Sequence, residues 1–341
     1  MLIRVRNLVM FEVFGVKFSA KKSIFQTCLS GSPCGSFYGA ILKNRFSAEN
    51  FTPKTSKIVE RTVPDYRKDT KQYIFGPVFR PTVEDHKYCL KSWFFKHHEI
   101  LNIWTHFIPA IFFLYKTLTY TAEILTSVNP TLESCLMPLF TVSAFGCMAL
   151  STIYHTFNCH NENMFNCVLC LDYAGIPLLT IGSIIPFLYY AFHCVTTELY
   201  GFNVPYIFII YAVSMSGYGL FLMIFTQTET FMNPKWRRVR AGAFFLFGFS
   251  VMLPLFHISR MYSFDYLVEN LKVVHMCLSG LLYTSGMGIY CLRFPEKHFP
   301  RVFDIWFHSH NWFHLLVAVA AWNYLETMVK IRELNLVCLG V

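Results

Sequence analysis

Charge is scarce in this sequence of 341 residues, of which only 14% are Asp, Glu, Lys or Arg. Soluble globular domains usually carry about 25% charged residues. Hydrophobic residues reach 54%, so too few polar residues remain to cover a soluble body of this size. This composition disfavours an ordinary cytosolic enzyme and excludes a mostly disordered chain.

The sequence also lacks a regular cysteine spacing and an uninterrupted apolar leader. Its 12 cysteines lie mostly inside apolar runs, which excludes the disulfide framework of a small secreted domain. Arg4, Arg6 and Glu12 interrupt the apolar core of about 7–15 residues that a signal peptide requires. Glu12 and poor amphipathicity also disfavour a mitochondrial presequence.

Long apolar runs, by contrast, recur from residue 100 onward. A helix needs about 20 apolar residues to cross a bilayer, and it pairs its backbone groups within one segment. We therefore predict an all-α membrane protein with seven transmembrane helices, kinked at Pro177, Pro186 and Pro254. The predicted spans are about 100–120, 137–157, 170–192, 204–225, 241–259, 271–292 and 306–326.

The composition changes along the chain and predicts four segments. Residues 1–74 are polar and basic, and we expect a partly disordered cytosolic tail that binds a cytosolic signalling partner. Residues 75–98 are expected to form a membrane-surface helix and linker. The seven-helix transmembrane domain is predicted over 99–328, followed by a short external C-terminal tail over 329–341.

Lys and Arg are distributed unevenly between the two sides of the predicted membrane domain. With the N-terminus in the cytosol, 24 of the 29 basic residues lie in cytosolic segments. The positive-inside rule then favours a cytosolic N-terminus and an extracellular or lumenal C-terminus, opposite to G-protein-coupled receptors. The basic residues do not share one folded patch, so we expect no nucleic-acid partner.

Titratable residues inside a membrane span cost free energy, and four of them are predicted to lie at the same depth in the membrane. His155 ends the second span, Asp172 begins the third, and His310 and His314 begin the seventh. The predicted topology places all four at the cytosolic ends of their spans. Three imidazoles can hold Zn²⁺ and leave a fourth position for water. We therefore predict a Zn²⁺ site formed by His155, His310 and His314.

Two further side chains are candidates for catalysis at this site. Zinc lowers the pKa of a bound water to roughly 7, and Asp172 would orient that water or accept its proton. Ser151 lies one turn before His155 and would hydrogen-bond the water or a developing oxyanion. The plainer alternative is that these histidines are interfacial residues hydrogen-bonded to backbone.

Other histidines and cysteines give weaker signals. His106 is either a fourth ligand or, as we favour, a residue in an interhelical hydrogen bond. A loose Cys/His finger is suggested by Cys159, His160, Cys167 and Cys170. The link between the spans is too short for a separate finger, and Cys167 and Cys170 are expected to enter the third span.

Several short motifs between residues 75 and 330 occur in a characteristic order. They are the stretches 102–106 (NIWTH), 154–157 (YHTF), 171–176 (LDYAGI), 188–190 (LYY), 294–296 (FPE) and 303–307 (FDIWF), and then Ser309-His310 and Phe313-His314. In these motifs the chain resembles the progestin and adipoQ receptor family, in particular its adiponectin-receptor branch.

The resemblance implies a seven-helix fold with a cytosolic N-terminus. It also implies zinc held by His155, His310 and His314, with Asp172 contacting the water and Ser151 nearby. The wider superfamily includes alkaline ceramidases, which implies hydrolysis of lipid amides.

Two functions of different classes remain open. The first is a signalling receptor for an extracellular protein or lipid hormone, whose zinc site hydrolyses ceramide-like membrane lipids through a zinc-bound water. The alternative is a non-catalytic membrane scaffold or tether with structural zinc. Either protein would reside in the plasma membrane, the Golgi or the endoplasmic reticulum.

The orientation can be tested by protease protection in sealed microsomes whose cytosolic face points outward. Because the basic residues favour a cytosolic N-terminus, added protease should remove a tag placed before Met1 and spare one after Val341. Removal of the C-terminal tag with protection of the N-terminal tag would contradict the orientation and the shared depth of the four candidate residues.

Overall fold

The structure, a computed structural model, describes residues 4–5, 8–13, 16–21, 73–75, 78–192, 206–228, 231 and 234–338. Its helices are α1 (His86–Lys91), α2 (Ile100–Thr126), α3 (Leu136–Phe157), α4 (Glu162–Phe192), α5 (Tyr206–Phe225), α6 (Arg237–Phe249), α7 (Met252–Met261), α8 (Phe264–Glu269), α9 (Val273–Leu292) and α10 (Ser309–Cys338).

Three strands lie near the N-terminus, where the sequence analysis predicted a partly disordered tail. They are β1 (Arg4–Val5), β2 (Leu8–Val13) and β3 (Val16–Lys21). They form an antiparallel sheet in the order β1-β2-β3, with Val13 paired to Val16. The all-α description therefore applies to the described residues from 73 onward, and not to this small sheet.

Each predicted span coincides with helix, although some bounds differ. The fourth helix begins at Glu162, well before the predicted residue 170, because the link after α3 is only a short turn. The last helix continues to Cys338, so part of the segment predicted as an external tail is helical. In the predicted surface segment 75–98, the helical part is α1 and a 3-10 turn at Ser92–Phe94.

The sixth and seventh helices share one predicted span but are separated at Ser250 and Val251. Pro254 explains the break, because it has no N–H to donate to the carbonyl of Ser250, and its ring would clash with that carbonyl in a continuous helix. It lies in the first turn of α7, where a missing N–H is tolerated. Pro177 and Pro186, in contrast, lie inside α4, which continues through both positions.

Within the described residues, four helical stretches are long and apolar enough to cross a membrane. The other long helices, α2, α9 and α10, pack against this set: α2 contacts α3, and α10 contacts α2, α4 and α9. The four stretches are Glu133–Phe157, Glu162–Phe192, Tyr206–Phe225 and Arg237–Met261.

One buried apolar cluster joins α2, α3 and α10. Phe113 of α2 packs edge to face on Phe140 of α3, with ring centroids 5.9 Å apart. The ring of Phe140 also contacts Tyr324 of α10 at 4.7 Å. Van der Waals packing of this kind holds helices together inside a bilayer, where lipid is as apolar as the side chains. The cluster fixes the three helices side by side and so places their ends near one another.

Two glycines allow α4 to approach α3 closely. Gly175 and Gly182 are seven residues apart and therefore lie on one face of α4. A Cβ at Gly175 would lie 3.0 Å from the Cα of Cys147, and one at Gly182 would overlap the side chain of Ser143. Small residues at helix interfaces permit this close contact between backbones.

Substitution of Gly182 tests the close approach. Gly182→Ala should lower the free energy of unfolding by about 1–3 kcal/mol, because the added methyl group overpacks the interface. Gly280→Ala is the matched control, since nothing lies within 4 Å of a Cβ at that helical position. It should be neutral or stabilise by up to about 1 kcal/mol. Equal thermal melting of both variants in detergent would contradict the contact.

Candidate metal centre

Three histidines from two helices meet at one point of the bundle. His155 lies in the last turn of α3, whereas His310 and His314 lie one turn apart at the start of α10. One ring nitrogen from each histidine lies within 4.8 Å of the other two. His155 and His314 are buried, and His310 is partly buried. The structure thus brings together the three predicted ligands as a group that could hold a metal ion.

The spacing and chemistry of these donors fit zinc. The Nε2 atoms of His155 and His310 are 3.2 Å apart. Two nitrogens bound to one tetrahedral zinc at about 2.0–2.1 Å would be about 3.3 Å apart. Two imidazole nitrogens at such a distance must share a proton or a cation. The donor set therefore matches the histidine-rich sites that zinc prefers.

The outer nitrogens of two of these rings are hydrogen-bonded to acceptors at the start of α2. Nδ1 of His155 lies 2.7 Å from Oε2 of Glu99, and Nδ1 of His314 lies 3.1 Å from the carbonyl oxygen of Asn102. Carboxylate or carbonyl partners of this kind are usual for metal-binding histidines.

Ser151 and Asp172 lie beside the histidine cluster. Ser151 is buried one turn before His155, and Asp172 lies in α4, which packs against α3. The carboxylate of Asp172 is close enough to interact with both the hydroxyl of Ser151 and the ring of His155. All five residues predicted for the site are therefore near one another in the structure.

Glu99 is a residue of this region that the sequence analysis missed. Only 4% of its surface is exposed. Besides His155, its carboxylate contacts Nε2 of His98 at 3.0 Å and accepts from the amides of Asn102 at 2.6 Å and Asn158 at 3.1 Å. Its position directly before the first predicted span is a signal in the sequence, because a charged residue at the edge of a span also needs a partner.

Arg80 binds the end of the helix that carries His155. Its guanidinium donates to the backbone carbonyls of His155 at 2.5 Å and Thr156 at 3.0 Å, and to the side chains of Asn158 at 2.8 Å and Ser92 at 2.7 Å. The last carbonyls of a helix have no partner within the helix, and a cation there is favourable. The segment before α2, predicted as a surface linker, therefore forms part of the site.

His97 supports the turn from which Glu99 projects. Burial, and then the nearby charge of Arg80, lower the pKa of His97 to about 3, so its ring is neutral at physiological pH. Nδ1 accepts a hydrogen bond from the backbone N–H of Glu99 at 3.1 Å, and Nε2 contacts the carbonyl of Ser92 at 2.9 Å. A neutral ring with Nε2 protonated satisfies both partners.

His106 does not form the interhelical hydrogen bond that the sequence analysis favoured. Neither of its ring nitrogens has a hydrogen-bond partner among the described residues. Its ring instead stacks face to face on His314, with centroids 3.7 Å apart. His106 is also outside the three-histidine group that could hold a metal ion. Among the described residues it is therefore neither a fourth ligand nor a partner in an interhelical hydrogen bond, and its contact with His314 is a stacking contact.

The Cys/His finger also does not form within the described chain. Cys167 and Cys170 lie inside α4, as predicted. The Sγ atom of Cys159 lies 3.5 Å from that of Cys89, which belongs to α1. The described cysteines therefore add no ligand to the histidine group.

Comparison with known proteins agrees with this arrangement. A family model described as "Haemolysin-III related" matches residues 94–325, which is more than half of the chain. The chain belongs to the haemolysin-III-related family. Its relatives place it in the progestin and adipoQ receptor group, in the adiponectin-receptor-like branch, and it is an integral, multi-pass membrane protein.

Three relatives illustrate this placement. A Drosophila melanogaster protein named adiponectin receptor protein is 35% identical over 71% of this chain and 52% of its own length. A Saccharomyces cerevisiae ADIPOR-like receptor, IZH2, is 32% identical over 82% of this chain and 87% of its own. Heptahelical transmembrane protein 1 of Arabidopsis thaliana is 29% identical, over 77% of each. The chain thus spans about half of the length of the Drosophila relative.

Ligand substitutions test the metal centre. His310→Ala and His314→Ala should each weaken zinc binding by more than about 10–100-fold. That is the usual cost of losing a residue that only hydrogen-bonds a ligand, and these variants lose the ligand itself. His275→Ala, at an exposed position in α9, is the matched control. Zinc content of the purified proteins should fall only in the first two variants. Unchanged zinc in both would exclude these residues as ligands.

Proposed function

We propose that this protein is an adiponectin-receptor-like signalling receptor that hydrolyses ceramide-like lipid amides at an intramembrane zinc site. His155, His310 and His314 would hold Zn²⁺ at the cytosolic ends of α3 and α10, in a seven-span domain with a cytosolic N-terminus. The observation that carries this proposal is the three-histidine group with Asp172 and Ser151 beside it.

The number of ligands favours catalysis over a structural role. Structural zinc sites use four protein ligands, whereas catalytic sites use three. The group found in the described chain contains three histidines. A structural site would also have no need of the carboxylate and hydroxyl that accompany it.

Each side chain near the histidines has a proposed role in amide hydrolysis. When bound, zinc makes hydroxide available near neutral pH and polarises a carbonyl oxygen. Asp172 would accept a proton on its carboxylate and return it to the leaving nitrogen. Ser151, which lies beside Asp172, would hydrogen-bond the attacking water or the developing oxyanion.

The position of the histidines in their helices favours a lipid substrate. His155 is near the end of α3 and His310 is near the start of α10, so the group lies close to the membrane surface. The amide of a ceramide-like lipid lies at the same depth, with its chains in the bilayer core. Such a substrate would enter between helices from the cytosolic leaflet, and products would be a sphingoid base and a fatty acid.

Asp172→Asn separates the hydrolase from the non-catalytic scaffold. The variant keeps the size of the side chain and one acceptor oxygen but removes the proton acceptor. Zinc content and thermal stability should be unchanged, whereas ceramide turnover should fall by about 10²–10⁴-fold. Asp265→Asn, at an exposed position in α8, is the control and should keep full turnover.

Three outcomes would contradict the assignment. Full turnover by Asp172→Asn would remove Asp172 from the mechanism. Loss of zinc from this variant would make Asp172 a fourth ligand, as in a structural site. No turnover by the wild-type protein with zinc bound would favour the scaffold.

A further inference from the structure

We propose that Glu99 and Asn102 are positioning residues that fix the tautomers and ring orientations of two metal-binding histidines. The inference rests on the proposed zinc site and assigns a role to the start of α2, which supplies no ligand. Each of the two residues acts on a histidine of a different helix: Glu99 on His155 of α3, and Asn102 on His314 of α10.

The contact with Glu99 determines which nitrogen of His155 can bind metal. An ionised carboxylate only accepts hydrogen bonds, so the proton of a neutral His155 ring must be on Nδ1. The 2.7 Å distance from Nδ1 to Oε2 is that of a strong charge-assisted bond. The lone pair of His155 is therefore on Nε2, which is the atom that faces His310 at 3.2 Å.

The contact with Asn102 has the same consequence for His314. A backbone carbonyl also only accepts, so the proton of His314 is on Nδ1, 3.1 Å from the Asn102 oxygen. The lone pair on Nε2 is then available to a metal. The side chain of Asn102 strengthens the link between helices, because its Oδ1 accepts from the amide of Asn311 in α10 at 2.6 Å.

Glu99 is itself held in one orientation. One carboxylate oxygen contacts His155 and Asn102, and the other contacts His98 and Asn158. With four polar partners and 4% exposure, the carboxylate cannot turn away from His155 without leaving buried groups unpaired. The negative charge of Glu99 would also stabilise the positive charge of a metal ion bound to His155.

A glutamine at position 99 could not reproduce this arrangement. Its amide has one acceptor oxygen, and its NH₂ group would face two of the four partners. If the NH₂ group faced His155, the ring would have to accept on Nδ1 and carry its proton on Nε2. That tautomer presents N–H, and not a lone pair, to the metal.

The test compares Glu99→Gln with Glu133→Gln in the full-length protein. Glu133 is also buried, accepts a hydrogen bond from Tyr190 at 3.2 Å, and precedes α3 at its opposite end. Zinc affinity is measured by competition with a chelator, and thermal stability is measured without metal. Cobalt(II) substitution reports ligand geometry through its visible spectrum.

Glu99→Gln should lower zinc affinity by about 10–100-fold and alter the cobalt spectrum. Glu133→Gln should do neither.

The outcomes separate this inference from the proposed function. Wild-type zinc affinity in Glu99→Gln would overturn the positioning role. The role would also be overturned if both variants lost zinc affinity equally and in proportion to their loss of thermal stability without metal. If Glu99→Gln does not fold, Glu99→Asp provides the test, because it keeps the negative charge but is one methylene shorter. Its zinc affinity should be reduced, and an unchanged zinc affinity would overturn the role. Retention of zinc by His155→Ala would instead refute the metal site itself.

Discussion

The hydrogen bond between the buried carboxylate of Glu99 and His155 is the interaction on which this end of the structure depends. A carboxylate with 4% exposure is costly unless every oxygen lone pair is used. The chain satisfies it with donors from the segment before α2, from α2 itself and from the end of α3. Arg80 completes the network by binding Asn158 and the last carbonyls of α3. The polar groups that surround the histidines thus also connect the helices that carry them.

Packing deeper in the bundle makes this polar network possible. The aromatic contacts of Phe113, Phe140 and Tyr324 hold α2, α3 and α10 side by side. Gly175 and Gly182 bring α4 close to α3, which places Asp172 beside Ser151. Apolar packing therefore sets the separation of the helices, and the polar network at their ends sets the orientation of individual side chains.

The sequence predicted the helices and the candidate ligands better than it predicted their surroundings. Apolar length located the helical stretches, and the i, i+4 spacing of His310 and His314 placed both on one face. It did not indicate the break before Pro254, where a kink was expected in one helix, or the helix up to Cys338. The sequence shows that Glu99 lies beside the first predicted span, but it does not show its contact with His155, 56 residues away. Arg80 has no such local signal, because its role comes from a contact across 75 residues.

Zinc X-ray absorption of the purified full-length protein tests the central claim most directly, because it reports the number and type of atoms bound to the metal. The account predicts about one zinc per chain, with three imidazole nitrogens and one oxygen at about 2.0–2.1 Å. A shell containing sulfur at about 2.3 Å, a shell of four protein ligands, or a protein that retains no zinc would contradict it.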